Sequence, residues 1–186
     1  MAADSFPRLI SLACHDLRTP LATIFGFART LNRMEEFDAR TARFLGMIEE
    51  ASTQMTELLD ELAAIARIQD GRWEPVLREA DTLELASVDD ARVDAEGTGE
   101  TIETDVEGVG RALRSLAVAA ARFGPVERVT WRVDGRALEL SPITPEAAPV
   151  VTGETIRDLG SIVGRAVIEA LGGTFALKGE TLRVRL

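Results

Sequence analysis

The chain has 186 residues, 46% of them hydrophobic, enough for one large or two small domains with ordinary cores. Its formal charge of -10, from 31 acidic and 21 basic residues, argues against a nucleic-acid partner, because that affinity comes largely from neutralising phosphates with lysine and arginine. No uninterrupted apolar run approaches the roughly 20 residues that cross a bilayer, and Met1-Ala2-Ala3-Asp4-Ser5 lacks a basic segment followed by an apolar one, so a cytoplasmic protein with no membrane partner is expected.

Ser5 or Asp4 is placed to cap a first helix that carries Pro7 in its opening turn, where the missing N–H has no intrahelical partner to lose, and that is predicted to run to about Met34. Ile10, Cys14, Leu17, Leu21, Ile24, Ala28 and Leu31 follow a four-three spacing, the seam of a helix packed against other helices. The single cysteine, Cys14, lies on that seam and reads as a small core residue rather than a reactive thiol. His15 falls just outside the seam, with Thr19 one turn further along the same outward face. It is the only histidine, so any imidazole chemistry must happen there. Pro20 removes the N–H that would bond the Asp16 carbonyl, at a cost of about 3 kcal/mol. Two readings stand: a kink that wraps the helix round a core, or a loosened turn that lets His15 and Asp16 move.

After Glu35-Glu36-Phe37, Asp38 is a plausible cap for a second helix with the seam Phe44, Ile48, Ala51, Met55, Leu58, Leu62 and Ile65, ended by Asp70-Gly71-Arg72. Two helices of about 30 residues, each near 45 Å long, cannot hide both seams and the flanking Phe25, Phe27, Leu45, Met47 and Leu59 within one pair. A homodimeric four-helix bundle is expected, with a long intramolecular coiled coil as the alternative. The domain boundary is placed between 1–71 and 72–186.

From Trp73 the pattern changes to short strands and two helices, an α+β layout. Strands are predicted over Thr101–Asp105, Val126–Val133, Ala137–Leu140, Thr174–Leu177 and Leu182–Leu186, with a hairpin turn at Asp134-Gly135. Helices are predicted over Val106–Phe123 and about Glu154–Leu171.

The heptapeptide His15-Asp16-Leu17-Arg18-Thr19-Pro20-Leu21 resembles the phosphoacceptor box of bacterial sensor histidine kinases, and the region from Trp73 resembles the catalytic domain that follows the hairpin in that family, a Bergerat-like α/β sandwich. Local phrases such as Gly160-Ser161-Ile162-Val163 and Ala170-Leu171-Gly172-Gly173-Thr174 carry the second resemblance. The chain departs from the family where the nucleotide chemistry belongs. Val118 and Ala119 stand where the family has an acidic residue and a magnesium-binding asparagine, and neither side chain offers an oxygen ligand. Ser141-Pro142-Ile143-Thr144-Pro145-Glu146 lacks the aspartate and glycines that meet adenine. The lid-equivalent stretch is short and stiffened by Pro142, Pro145 and Pro149. Near Arg157-Asp158-Leu159-Gly160 the second glycine pair is missing at least in part.

The resemblance therefore implies a histidine phosphotransferase like those that keep the kinase hairpin beside a degenerate catalytic domain. His15 takes a phosphoryl group from a receiver-domain aspartate and passes it to another response regulator, with Asp16 orienting the ring and Thr19 supporting receiver dephosphorylation. Leu12, one turn before His15, is a docking contact in this reading. No stably bound cofactor is expected, the magnesium coming from the partner receiver. The implied partners are a second copy, response-regulator receivers and an upstream hybrid or sensor kinase. The alternatives are a non-catalytic scaffold regulating a true kinase and a divergent ATP-dependent kinase.

Overall fold

The computed structural model describes residues 6–33 and 37–186, which fold as two compact units, 1–72 and 73–186. The expected caps Ser5 and Asp4, the helix end at Met34 and the turn residues Glu35 and Glu36 lie outside the described residues.

The first unit is a helical hairpin of α1 (Phe6–Asn32) and α2 (Ala39–Gln69). Pro20 lies inside α1, which continues through it. Asp38 caps α2 as expected, its carboxylate accepting from the Thr41 amide at 2.8 Å. At the other end Gly71 takes a left-handed φ of 65°. There the Gly71 amide donates to the Ile68 carbonyl and the Arg72 amide to that of Arg67, the paired bonds of a Schellman motif.

Within one chain the hairpin closes over Cys14, Leu21, Leu59 and Ala63, with Ile10 and Leu62 packed against them. The predicted α1 seam splits: Cys14, Leu21 and Ala28 are buried, whereas Leu17, Ile24 and Leu31 stay exposed. On α2 the inward positions are Leu45, Ser52, Leu59, Ala63 and Ala66, each one residue beyond a predicted seam position. Phe44, Ile48, Met55 and Leu58 are exposed instead. A step of one residue rotates a helix face by about 100°. The helices thus carry two apolar stripes, and from Phe44 to Leu58 the spacing rule selected on α2 the one that a single hairpin leaves uncovered, whereas Leu62 packs against the core.

The second unit contains, in chain order, β1 (Leu77–Asp81), α3 (Thr82–Ala86), β2 (Val93–Gly99), β3 (Thr101–Asp105), α4 (Val106–Phe123), β4 (Val129–Gly135), β5 (Ala137–Ser141), α5 (Ala148–Val151), α6 (Leu159–Ala170), β6 (Thr174–Lys178) and β7 (Thr181–Arg185). A five-stranded sheet runs β2-β4-β5-β7-β6, parallel at β2–β4 and antiparallel elsewhere, while β1 and β3 form a separate antiparallel pair. Alternation sorts the faces. Trp131, Val133, Leu138, Leu140, Leu182 and Val184 point into a core shared with Val109, Leu113 and Leu116 of α4. The opposite face carries the ion pairs Arg132–Glu96 and Arg183–Glu139. The result is a two-layer α/β sandwich.

Strand β3 and helix α4 match the expected spans, with Asp105 capping α4 through the Gly108 amide at 2.8 Å. Helix α6 is shorter than expected, starting at Leu159 rather than Glu154, because the Asp158 carboxylate caps it there. Asp134 pairs with Ala137, so the hairpin turns at Gly135-Arg136, one residue later than expected.

Candidate functional site

The imidazole of His15 stands on the outer face of α1 with its side chain 78% exposed. Its Nδ1 lies 3.3 Å from Oδ1 of Asp16, whose side chain is 68% exposed. An ionised carboxylate only accepts, so this pairing favours the tautomer with the proton on Nδ1 and leaves the Nε2 lone pair facing outward. The ring position follows from local sequence: Cys14 anchors its side of the helix in the hairpin core, and the next residue is turned by about 100° out of it.

Thr19 is exposed one turn on, its carbonyl accepting from the Thr23 hydroxyl at 3.1 Å. Leu12 is exposed one turn before His15. His15 and Asp16 are therefore brought together, and Thr19 and Leu12 share the outer surface of the same helix.

Arg18 escaped the sequence reading. Its guanidinium Nη2 donates to Oδ1 of Asp60 on α2 at 2.7 Å, with both side chains partly exposed. Its partner lies 42 residues away in the chain, and only the packed hairpin brings the two together.

In the second unit the positions that the resemblance assigns to nucleotide are occupied differently. Ala119 is buried in the core and Val118 half-buried, so α4 presents no oxygen ligand at either position. The segment between β5 and α6 does not stand open as a lid. Ile143, Ala147 and Val151 are buried in the same core as the sheet, and the Ile143 amide donates to the Glu180 carbonyl at 2.8 Å. At the N-terminus of α6, where an anion would meet open amides, the Asp158 carboxylate accepts from the Ser161 amide at 2.8 Å and the Ser161 hydroxyl at 2.9 Å. A fixed negative charge there repels a phosphate. Helices α4 and α6 also approach closely, since a Cβ on Gly164 would meet the Ala112 carbonyl oxygen at 3.1 Å. These residues do not fit a magnesium-bound nucleotide. Among the described residues no group of three or more histidine, cysteine or acidic side chains is placed to hold a metal ion.

The described helices include none long and apolar enough to cross a membrane.

Residues 8–71 match the His Kinase A (phospho-acceptor) domain. Over 146 residues the chain is 31% identical to the phosphate regulon sensor protein PhoR of Pseudomonas aeruginosa, covering 68% of this chain and 32% of that protein. Over 66 residues it is 41% identical to the sensor histidine kinase TrcS of Mycobacterium tuberculosis, covering 34% of this chain and 13% of that protein. The chain thus spans a third or less of these curated relatives. In fold, it resembles full-length ShkA, crystallised in complex with AMPPNP, with a TM-score of 0.67 at 20% identity over 96% of this chain and 44% of that one. It also resembles the Acinetobacter baumannii histidine kinase AdeS, with a TM-score of 0.54 at 17% identity over 92% of this chain and 96% of that one. With the hairpin, the phospho-acceptor match and the α/β sandwich in agreement, the chain belongs to the histidine kinase-like family, a dimerisation and phosphoacceptor hairpin followed by a domain resembling the kinase ATPase domain.

Proposed function

We propose that the chain is a histidine phosphotransferase of a two-component phosphorelay, taking a phosphoryl group onto His15 from a receiver-domain aspartate and passing it to a second response regulator, without ATP. The observation that carries this reading is the contrast between the two units: His15 is open to a partner, whereas the segment that would cover a nucleotide is packed into the core. Phosphoryl transfer needs in-line approach and charge neutralisation more than covalent help. The Nε2 lone pair attacks phosphorus as the P–O bond to the aspartyl carboxylate breaks, and that electron pair leaves with the carboxylate. Asp16 holds the Nδ1 proton through the step and stabilises the positive charge that the ring acquires. Magnesium belongs to the receiver's acidic pocket. Thr19, on the same helix surface, is assigned to orienting a hydrolytic water when the receiver is dephosphorylated.

Two copies complete the first unit. The uncovered stripe of Leu17, Ile24, Phe44, Ile48, Met55 and Leu58 supports a homodimeric four-helix bundle in this reading. The partners are receiver domains and an upstream hybrid or sensor kinase, and the reaction takes place in the cytoplasm.

The test supplies a phosphorylated receiver. Label should enter the wild-type protein in an acid-labile, base-stable form and move on to a second receiver, and His15→Ala should take up none. Autophosphorylation from ATP alone would replace this reading with that of a divergent kinase. No labelled His15 from any receiver of the host would replace it with that of a scaffold.

A further inference from the structure

In the second unit, the end of the sandwich where β5 begins and α6 finishes carries a cleft of about 370 Å³. The segment that joins β5 to α6 lies at the other end of both elements, so the cleft is separate from the positions that the resemblance assigns to nucleotide. Its walls are mainly apolar, with Leu77 of β1, Ile102 of β3, and Ile168 and Leu171 at the end of α6. Clefts of this size and lining are where small organic ligands bind. Two polar side chains interrupt the apolar wall. Thr104 is only 5% exposed, yet its hydroxyl meets no hydrogen-bond partner among the described residues. Successive strand residues alternate faces, so Thr104 shares the buried face of β3 with Ile102, while Glu103 between them is exposed on the other. A buried hydroxyl without a partner is costly, and a ligand oxygen that bonds it removes that cost. Arg136 stands in the turn between β4 and β5, its backbone fixed because its carbonyl accepts from the Leu186 amide at 3.0 Å. Only its Nε is engaged, donating to Oε1 of Glu100 at 2.9 Å, which leaves both terminal nitrogens of the guanidinium open.

We infer that this cleft is a binding site for a small apolar carboxylic acid, a medium-length alkyl or an aryl-substituted chain. Its tail lies against Leu77, Ile102, Ile168 and Leu171, its carboxylate takes the open terminal nitrogens of Arg136, and the Thr104 hydroxyl donates to one carboxylate oxygen. The sign of the ligand follows from the charges at the mouth. Glu103 directs its side chain to the other face of β3, and Glu100 already occupies Nε of Arg136, so the unused charge is positive. Guanidinium suits a carboxylate because its planar fork bonds both oxygens at once. Leu77, 48% exposed, is the part of the wall that an apolar tail covers. The site requires nothing from His15, and its occupancy is measured without any phosphoryl transfer.

The experiment titrates octanoate, and separately phenylpropanoate, into the full chain and follows the isoleucine and leucine methyl signals by NMR. Saturable shifts should concentrate on Leu77, Ile102, Ile168 and Leu171. Octylamine and octanol, which keep the chain and lose the carboxylate, should bind about tenfold more weakly or worse. Arg136→Gln alters an exposed side chain, so the protein should melt as wild type does and bind octanoate about tenfold more weakly. Glu100→Gln frees Nε and should bind at least as tightly as wild type. Thr104→Val keeps the side-chain shape; it should weaken octanoate about threefold and raise the melting temperature of the free protein, because an unpaired buried hydroxyl is gone. Methyl shifts absent at millimolar acid, or falling instead on the exposed hairpin stripe at Ile24, Ile48 and Leu58, overturn the proposal. Equal affinity for acid, amine and alcohol, or an unchanged affinity in Arg136→Gln, overturns it as well. A Thr104→Val protein with lowered melting temperature and unchanged affinity removes that hydroxyl from the site and overturns the assignment made to it.

Discussion

At the scale of single residues, the site separates chemistry from packing within two adjacent positions. Cys14 is buried in the hairpin core and His15 is open beside it, so His15→Ala should remove phosphoryl uptake while leaving the melting temperature within about 1 °C, as surface substitutions generally do. Asp16→Asn keeps a hydrogen-bonding side chain near Nδ1 but removes its charge. It should slow loading roughly tenfold without dissociating the protein, a result read by single-turnover transfer. Thr19→Ala should lengthen the life of the receiver phosphate and leave His15 labelling intact if Thr19 orients the hydrolytic water. The sequence made His15 conspicuous because it is the only imidazole and sits in a complete box. Arg18 was hidden in the same box, because its importance lies in a partner 42 residues away, which no local pattern displays.

At the scale of elements, the hairpin separates positions that serve one chain from positions that face outward. Leu59 is buried against α1, so Leu59→Ala should destabilise the first unit by about 2–3 kcal/mol through lost contacts and a cavity, measured by urea unfolding. Leu58 is exposed in the single hairpin, so Leu58→Asp should spare that core and, if the bundle is dimeric, abolish the dimer in sedimentation at micromolar concentration. The N-terminus of α2 adds a pH test. The Thr41 amide, donating to the Asp38 carboxylate, holds its pKa below the ordinary value. The cap therefore stabilises α2 above the unfolded-state pKa and is lost as pH falls through the lower folded value. Melting temperature should fall more steeply between about pH 5 and pH 3 in wild type than in Asp38→Asn, which keeps an acceptor oxygen but cannot titrate. What was legible at this scale had strong local signals: the Asp38 cap, the Val106–Phe123 span of α4, and the Gly71 end of α2. Strands β1 and β2, and helices α3 and α5, were not. Strand β1 reads Leu77-Arg78-Glu79-Ala80-Asp81 and owes its form to pairing with β3. Strand β2 is an edge strand interrupted by Gly97, where a Cβ would collide with the Val133 carbonyl oxygen. Helix α5 spans four residues and includes Pro149. Tertiary pairing made these elements, and single-sequence periodicity does not record it.

At the scale of the whole molecule, the question is whether a fold shared with nucleotide-binding kinases still binds nucleotide, and the second unit makes that testable without any receiver. A ligand that binds only the native state stabilises it by an amount set by its concentration over Kd, about 2.7 kcal/mol at a hundredfold excess. For a domain of about 100 residues that corresponds to a rise of roughly 10 °C or more in Tm. Neither ATP nor ADP with magnesium, at millimolar concentration, should move the transition of the second unit. The site is already occupied: Asp158 places its own carboxylate on the Ser161 amide that opens α6, and the lid-equivalent segment packs its own Ile143, Ala147 and Val151 into the core. It follows that restoring a single ligand does not restore the site. Ala119 is buried in α4, so Ala119→Asn should lower the stability of the second unit by about 1–3 kcal/mol through an unpaired buried amide, with no response to magnesium and ATP. A variant that instead gained a nucleotide-dependent rise in Tm would show that α4 still faces an open cleft, and the carrier reading would give way to that of a kinase one residue from activity.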